Sequence, residues 1–475
     1  MAQQMKHQKT SLETTDDGED EDTQQPKIYA KNSLDRFGDD MCGLLLSYLT
    51  FEDRFSFECV SKQFRRTVFV NVVDITLSDE LMQRLLNAKR SDVQMLATIA
   101  IKCPNIQCID CRGISAEYEE HIPEVLNTFR GNCQNLKEIY CDLTSKSAQT
   151  MPSFGPLVTR IGDIDDYIDN EALTHCHRLS QLCVQSFADF TDYTFNTLFC
   201  NNLHKFVLRS HSDYNNHFWS AFVTQNQSLQ CLVLESSYFE DSVSVTEMCG
   251  QLSRLSQLRE LTLGLGFEVL NGQKSAVVNQ CLRTIGVNCK QLKRLSFQLI
   301  SEDIEPALQI SLDWLRVYRQ LKRLHITSYA AIDDQLLDPL RHCKRLTHLE
   351  LCLLGIKPIV LKDMHQNCPR LQYLFIGNFS NITPECLSHL SRLPALQMLV
   401  IHFGCDAESV DLSDNDYSDL LSRSPKLKCI QPFYAIQSRP VVRPLSSGGL
   451  NVALAVKDPL VRTDMSAIVT AKVTG

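Results

Sequence analysis

One short pattern, Leu-x-x-Leu-x-Leu with conservative exchanges, recurs along most of this 475-residue chain and limits its fold more than any other feature. Leu321-Lys-Arg-Leu324-His-Ile326 is typical, and clear copies also begin at Leu229, Leu258, Leu292, Leu346, Leu371 and Leu396. Weaker copies begin at Ile106, Leu136, Leu179, Leu203 and Leu427, giving about twelve units. The distances between first positions are 30, 43, 24, 26, 29, 34, 29, 25, 25, 25 and 31 residues. Three consecutive 25s are hard to obtain by accident, and the 43-residue gap has room for a degenerate copy near Val158-Thr-Arg-Ile161. The last two apolar positions of each copy alternate, as a short strand with one buried face requires.

Between strands the apolar spacing becomes helical. Thr383 followed by Pro384 predicts an N-cap and a proline at N1, where its missing N–H costs nothing. Ile382 and Leu387 then stand at the hydrophobic-staple positions. Asp333 and Asp334 before Leu336, Leu337 and Leu340 predict a similar helix in an earlier unit. A strand plus a helix every ~25 residues is an α/β leucine-rich-repeat solenoid, a horseshoe with short parallel strands on its concave face and helices on its convex face. Cys103, Cys133, Cys176, Cys200, Cys289, Cys343 and Cys368 each stand three residues before the first apolar position of a copy. Small apolar thiols suit the turn from helix into strand. The placement resembles the cysteine-containing class of leucine-rich repeats, in which such a cysteine closes the helix.

Composition removes several function classes. Lys and Arg number 47 against 56 Asp and Glu, a net charge of −9, the wrong sign for coating nucleic-acid phosphates. The start of the chain has no apolar signal region and no stretch approaches the ~18 apolar residues of a membrane helix. Twenty cysteines without such a signal suit a reducing compartment, so cytoplasmic residence is expected, with the nucleus as the other compartment open to it. Nucleophile-elbow, phosphate-loop and zinc-protease motifs are absent, so no catalytic residue, metal or cofactor is assigned. Cys108 and Cys111 lack a second pair at zinc spacing, Gly264-Leu-Gly266 lacks a third glycine, and Asp411, Asp414, Asp416 and Asp419 read as a solvated loop before Leu420.

A different segment precedes the repeats. Met41, Leu44, Leu45, Tyr48 and Leu49 lie at helical spacing, Thr50 with Asp53 forms a capping-box pattern, and Ser61 can cap a third short helix bearing Phe64. Three helices in under 40 residues cannot bury this many large side chains among themselves. Phe37-Gly38-Asp39-Asp40-Met41, Tyr48-Leu49, Asp53-Arg54, Cys59-Val60-Ser61-Lys62 and Phe64-Arg65-Arg66 together resemble an F-box. Gly38 stands where that pattern has proline, and Phe64 where it has tryptophan. The F-box followed by repeats is similar to the F-box/leucine-rich-repeat family. That resemblance implies a non-catalytic substrate receptor of an SCF-type cullin–RING ubiquitin ligase, contacting a Skp-type adaptor and through it cullin and RING subunits. It implies an adaptor face of Phe37, Met41, Leu44, Leu45, Tyr48, Leu49, Phe57, Val60 and Phe64.

Geometry places the substrate surface. Residues flanking the second Leu of each copy point onto the sheet face, which gives Arg294, Arg323, His325 and His348 from consecutive units, followed by Tyr373 and Phe375. The first four are expected to form a basic patch for an acidic or phosphorylated protein segment, and the last two an apolar neighbour. The expected organisation is an acidic disordered tail (1–30), an F-box (31–70), repeats (71–434) and a C-terminal tail of no assigned role (435–475). Two rivals stand beside the ligase reading: a repeat scaffold or inhibitor without ubiquitin chemistry, and a GTPase activator for which no catalytic arginine can be nominated.

Overall fold

The chain is described by a computed structural model covering residues 38–49, 51–86, 93–164, 170–186, 191–192, 197–198, 201–211, 216–239, 241–304, 309–328, 331–332, 335–353, 358–379, 383–403 and 412–434. Phe37, Thr50, Cys200, Asp333, Asp334, Ile382, Asp411 and both expected tails lie outside these residues. The chain divides into two compact units at Val72/Val73.

The first unit holds three short helices: α1 (Gly38–Leu46), α2 (Phe51–Phe57) and α3 (Lys62–Thr67). Ser61 caps α3 as expected, its hydroxyl accepting the Phe64 N–H at 3.1 Å. Gln63 Nε2 donates to Asp39 Oδ1 at 3.0 Å and ties α3 to α1. Arg54 Nη1 reaches the Val68 carbonyl at 3.2 Å. Cys42, Leu46, Phe64, Val68, Phe69 and Val72 are buried.

The second unit is a leucine-rich-repeat solenoid built on one open sheet of fourteen strands paired in chain order. They are β1 (Asp74–Thr76), β2 (Cys108–Asp110), β3 (Glu138–Leu143), β4 (Val158–Ile164) and β5 (Gln181–Val184). Next come β6 (Lys205–His211), β7 (Cys231–Tyr238), β8 (Glu260–Leu270), β9 (Arg294–Ile304) and β10 (Arg323–Ser328). The last four are β11 (His348–Leu353), β12 (Tyr373–Phe379), β13 (Met398–Phe403) and β14 (Cys429–Tyr434). Every neighbouring pair is parallel, as repetition of one strand–helix unit demands.

The repeat phase is the hydrogen-bond register. The amide just after each first apolar position donates to the carbonyl of the equivalent residue one unit back: Lys322 to Lys293, Thr347 to Lys322, Gln372 to Thr347 and Gln397 to Gln372, at 2.8–2.9 Å. Twelve copies become fourteen strands for two reasons. The degenerate copy near Val158 is a real strand, and Val72-Val-Asp-Ile75-Thr-Leu77 is a further copy whose exchanges of Val and Ile for Leu disguised it. Inward positions such as Leu261, Leu263, Leu324, Ile326, Leu349, Leu351, Leu374 and Ile376 are buried and form the continuous core.

Cysteine closes the helices. The Cys133 amide takes the Phe129 carbonyl at 2.7 Å, and the Cys133 carbonyl then accepts from Leu136 at 3.3 Å as the chain turns into β3. The same pair of bonds recurs at Cys289 and Cys368. The thiols of Cys133, Cys289 and Cys343 face the preceding unit: Cys289 Sγ lies 3.4 Å from the Leu255 carbonyl and Cys343 Sγ 3.6 Å from that of Leu315. Burial pushes the thiols of Cys176, Cys289, Cys343 and Cys368 up to about 12, so they stay protonated and inert.

Not every unit carries the expected α-helix. The 34-residue unit before Leu292 has room for the 17-residue helix Gly272–Asn288. The segment expected to be helical after Asp333 and Asp334 is instead a 3₁₀ turn, Asp338–His342. Pro339 falls in the interior of the helix those caps would start, where it removes a hydrogen bond and clashes with the preceding turn. Asp416 and Asp419 belong to the helix Asp414–Arg423, capped by Ser413, not to a loop before it.

Candidate functional site

Two surfaces, one on each unit, carry the side chains that sequence reasoning singled out. On the first unit, α1 buries Cys42 and Leu46 and turns Met41, Leu44 and Leu45 outward. Tyr48, just past its end, is 82% exposed and Leu44 54%. Phe57 and Val60 are exposed as well, and Leu49 is half-buried. Seven large apolar side chains in so short a segment form a patch that water does not favour. Phe64 does not join it. At 5% exposure, with its ring 6.4 Å from that of Phe57, it packs the module itself.

On the second unit, strand register converts sequence positions into continuous rows across the sheet face. One row runs Arg160, Gln181, Lys205, Cys231, Glu260, Arg294, Arg323, His348, Tyr373, Met398 and Cys429. A second places Ser296, His325, Glu350, Phe375 and Val400 side by side. All six candidate residues lie on these rows, with Tyr373 and Phe375 next to Met398 and Val400.

The charge balance differs from expectation. Glu260 is in register with Arg294, and their side chains pair at 3.1 Å. His325 Nδ1 lies 2.9 Å from Glu350 Oε2, and its Nε2 lies 2.9 Å from Thr327 Oγ1. The expected basic patch is therefore a mixed-charge one, because acids one strand away occupy the same rows. His348 stacks on Tyr373 with ring centroids 5.7 Å apart. Cys231, beside Glu260, is pushed up to about 11 by burial and then by that carboxylate.

Sequence reasoning missed a polar cluster on the first strands. Arg112 grips Asp110 with two bonds, of 2.9 and 2.7 Å. The guanidinium groups of Arg112 and Arg160 lie 5.3 and 4.1 Å from the centre of the Tyr140 ring, while its hydroxyl donates to Glu138 at 2.9 Å. Asp163 accepts from Gln185 and Arg209, both at 3.1 Å. Asp142 accepts the Gly113 N–H at 2.6 Å, yet burial raises its carboxyl above the usual range. The signal was available: most of these groups stand at outward strand positions of the weaker copies, read for their leucines alone.

No group of histidine, cysteine and acidic side chains suited to a metal occurs among the described residues, and their cysteines are free. None of the described helices is long and apolar enough to cross a membrane.

No family model matches this chain, and no curated protein matches it. Solved structures do. The Rad7 and Elc1 complex in yeast contains a chain 14% identical, with 83% of this chain and 88% of that one covered and a TM-score of 0.37. A chain of the TLR13–ssRNA13 complex is 14% identical over 72% of this chain, which spans about half (53%) of it, at a TM-score of 0.37. The leucine-rich-repeat protein LegL7 from Legionella pneumophila is 11% identical, with 67% of this chain and 97% of that one covered and a TM-score of 0.32.

Proposed function

We propose that this chain is the substrate-recognition subunit of an SCF-type cullin–RING ubiquitin ligase. Its first unit binds a Skp-type adaptor, and its repeats hold a protein substrate for ubiquitination and proteasomal degradation. The observation that carries the reading is the apolar patch of Met41, Leu44, Leu45, Tyr48, Phe57 and Val60 on an F-box-like segment. A second polypeptide that covers these side chains removes apolar area from water, worth roughly 25 cal/mol per Å² before the cost of association. Leu49 is half-buried, and Phe64 is buried within the module.

The chain itself makes and breaks no bond in this reading. Tethering converts lysine attack on a charged ubiquitin-conjugating enzyme into an effectively intramolecular step. The sheet face supplies the grip: Arg323, His348, Tyr373 and Phe375 lie on neighbouring strands, polar side chains beside an aromatic and apolar area.

Capture of a purified Skp-type adaptor and its cullin by the full chain tests the assignment. Capture is expected with the parent and should fall at least 100-fold in a Tyr48→Asp, Leu49→Asp double variant, because a charge in a desolvated apolar contact costs several kcal/mol. Retained circular dichroism would separate this loss from unfolding. A parent that captures no adaptor would leave the scaffold reading.

A further inference from the structure

Resting on the reading of the sheet face as the substrate surface, we propose that its anion-receiving centre is the pair Arg160 and Lys205, and that its occupant is an acidic peptide segment of a partner protein. Arg160 on β4, Gln181 on β5 and Lys205 on β6 are consecutive members of one row. Two steps of about 4.8 Å put the two cationic positions roughly 10 Å apart at the backbone. All three side chains are half-buried on the sheet face.

These cations differ in kind from three arginines near them on this unit. Arg112 is committed to Asp110, Arg209 to Asp163 and Arg294 to Glu260. Neither Arg160 nor Lys205 is ion-paired to any carboxylate among the described residues. The only partner of the Arg160 guanidinium there is the Tyr140 ring, 4.1 Å from its centre. A cation–π contact consumes no N–H donor, so the guanidinium is held in place with its fork unspent. A cation already fixed in position loses less freedom when an anion arrives.

The spacing suits a peptide. Carboxylate side chains two residues apart on an extended segment lie roughly 7 Å apart on one side, within reach of two long side chains 10 Å apart at their bases. Gln181 between them adds neutral donors. A nucleic acid fits less well: Glu138 and Glu260 stand in or beside the same row, and a backbone with a charge on every phosphate would have to lie on them. The net charge of −9 acts in the same direction.

The test uses the full chain and three labelled probes in a fluorescence-anisotropy titration at low salt. They are a fifteen-residue peptide alternating Glu with Ser and Gly, its Gln counterpart, and a single-stranded oligonucleotide of equal charge. The Glu peptide is expected to bind at least tenfold more tightly than the Gln peptide and to weaken at least tenfold in an Arg160→Gln, Lys205→Gln variant. Arg294→Gln, which removes a cation already spent on Glu260, should change the affinity less than threefold. Arg160→Lys should bind at an intermediate level, having kept the charge and lost the fork. Equal binding of the two peptides, an Arg294→Gln loss matching that of the double variant, or tighter binding of the oligonucleotide would each overturn the proposal. Adaptor capture measured on the same samples tells its failure apart from failure of the receptor assignment.

Discussion

Gly264 and Gly266 are set by their neighbours, not by any nucleotide chemistry. A Cβ on Gly264 would stand 2.1 Å from the Glu235 carbonyl oxygen, which is backbone and cannot move aside. A Cβ on Gly266 would meet the Tyr238 ring at 3.1 Å, a contact that a small ring shift relieves. Gly264→Ala is therefore expected to destabilise the protein by about 2–3 kcal/mol, and Gly266→Ala by less. Gly250, inside the helix Ser242–Leu252, has open space around it, and Gly250→Ala should instead stabilise by roughly 0.5–1 kcal/mol. Chemical denaturation of the three variants checks both signs. Gly38 carries a similar lesson: with φ at +65° it holds a conformation closed to the proline that the F-box pattern has there.

Among the repeat elements, cap chemistry can be separated from cap position. Thr383 and Pro384 begin the helix Pro384–Leu390 as expected, yet the Thr383 hydroxyl makes no capping bond to the backbone and lies 3.6 Å from Cys386 Sγ. Asp241 is a working cap: its Oδ1 accepts the Ser244 N–H at 2.7 Å, and that bond holds its carboxyl below the usual carboxylate range. Asp241→Ala should cost about 1 kcal/mol at neutral pH. The stabilisation belongs to the ionised form. It is fully present above the ordinary carboxylate value and is lost as the pH falls through the lower folded value. Thermal melts from pH 7 to pH 3 should show the parent and Asp241→Ala converging as the acid protonates, and a constant gap between them would refute this account.

Across the whole molecule, the repeats make stability a sum of nearest-neighbour terms, strongest where neighbours overlap most. Strands β8 and β9 each run eleven residues, and their pairing extends from Glu260↔Arg294 to Leu270↔Ile304. Their amides should exchange with deuterium most slowly, and those of β14, the last strand of the sheet among the described residues, markedly faster. Uniform protection along the sheet would contradict the nearest-neighbour picture. The solenoid was legible because its strand positions, cysteine closures and inward leucines are periodic, and a periodic signal survives many weak copies. The same pattern also fixed which side chains reach the sheet face, since alternation along a strand is a local property. What the repeat alone left open was how those side chains share charge. Whether Arg294 or Arg160 is spent depends on which acid stands 4.8 Å away on the neighbouring strand, and that neighbour lies 20 to 34 residues distant along the chain. In the first unit likewise, hydrophobicity placed Met41, Tyr48 and Phe64 in one class. Only the packing of three helices turned the first two outward and Phe64 in, because burial is decided by what an element meets and not by its own composition.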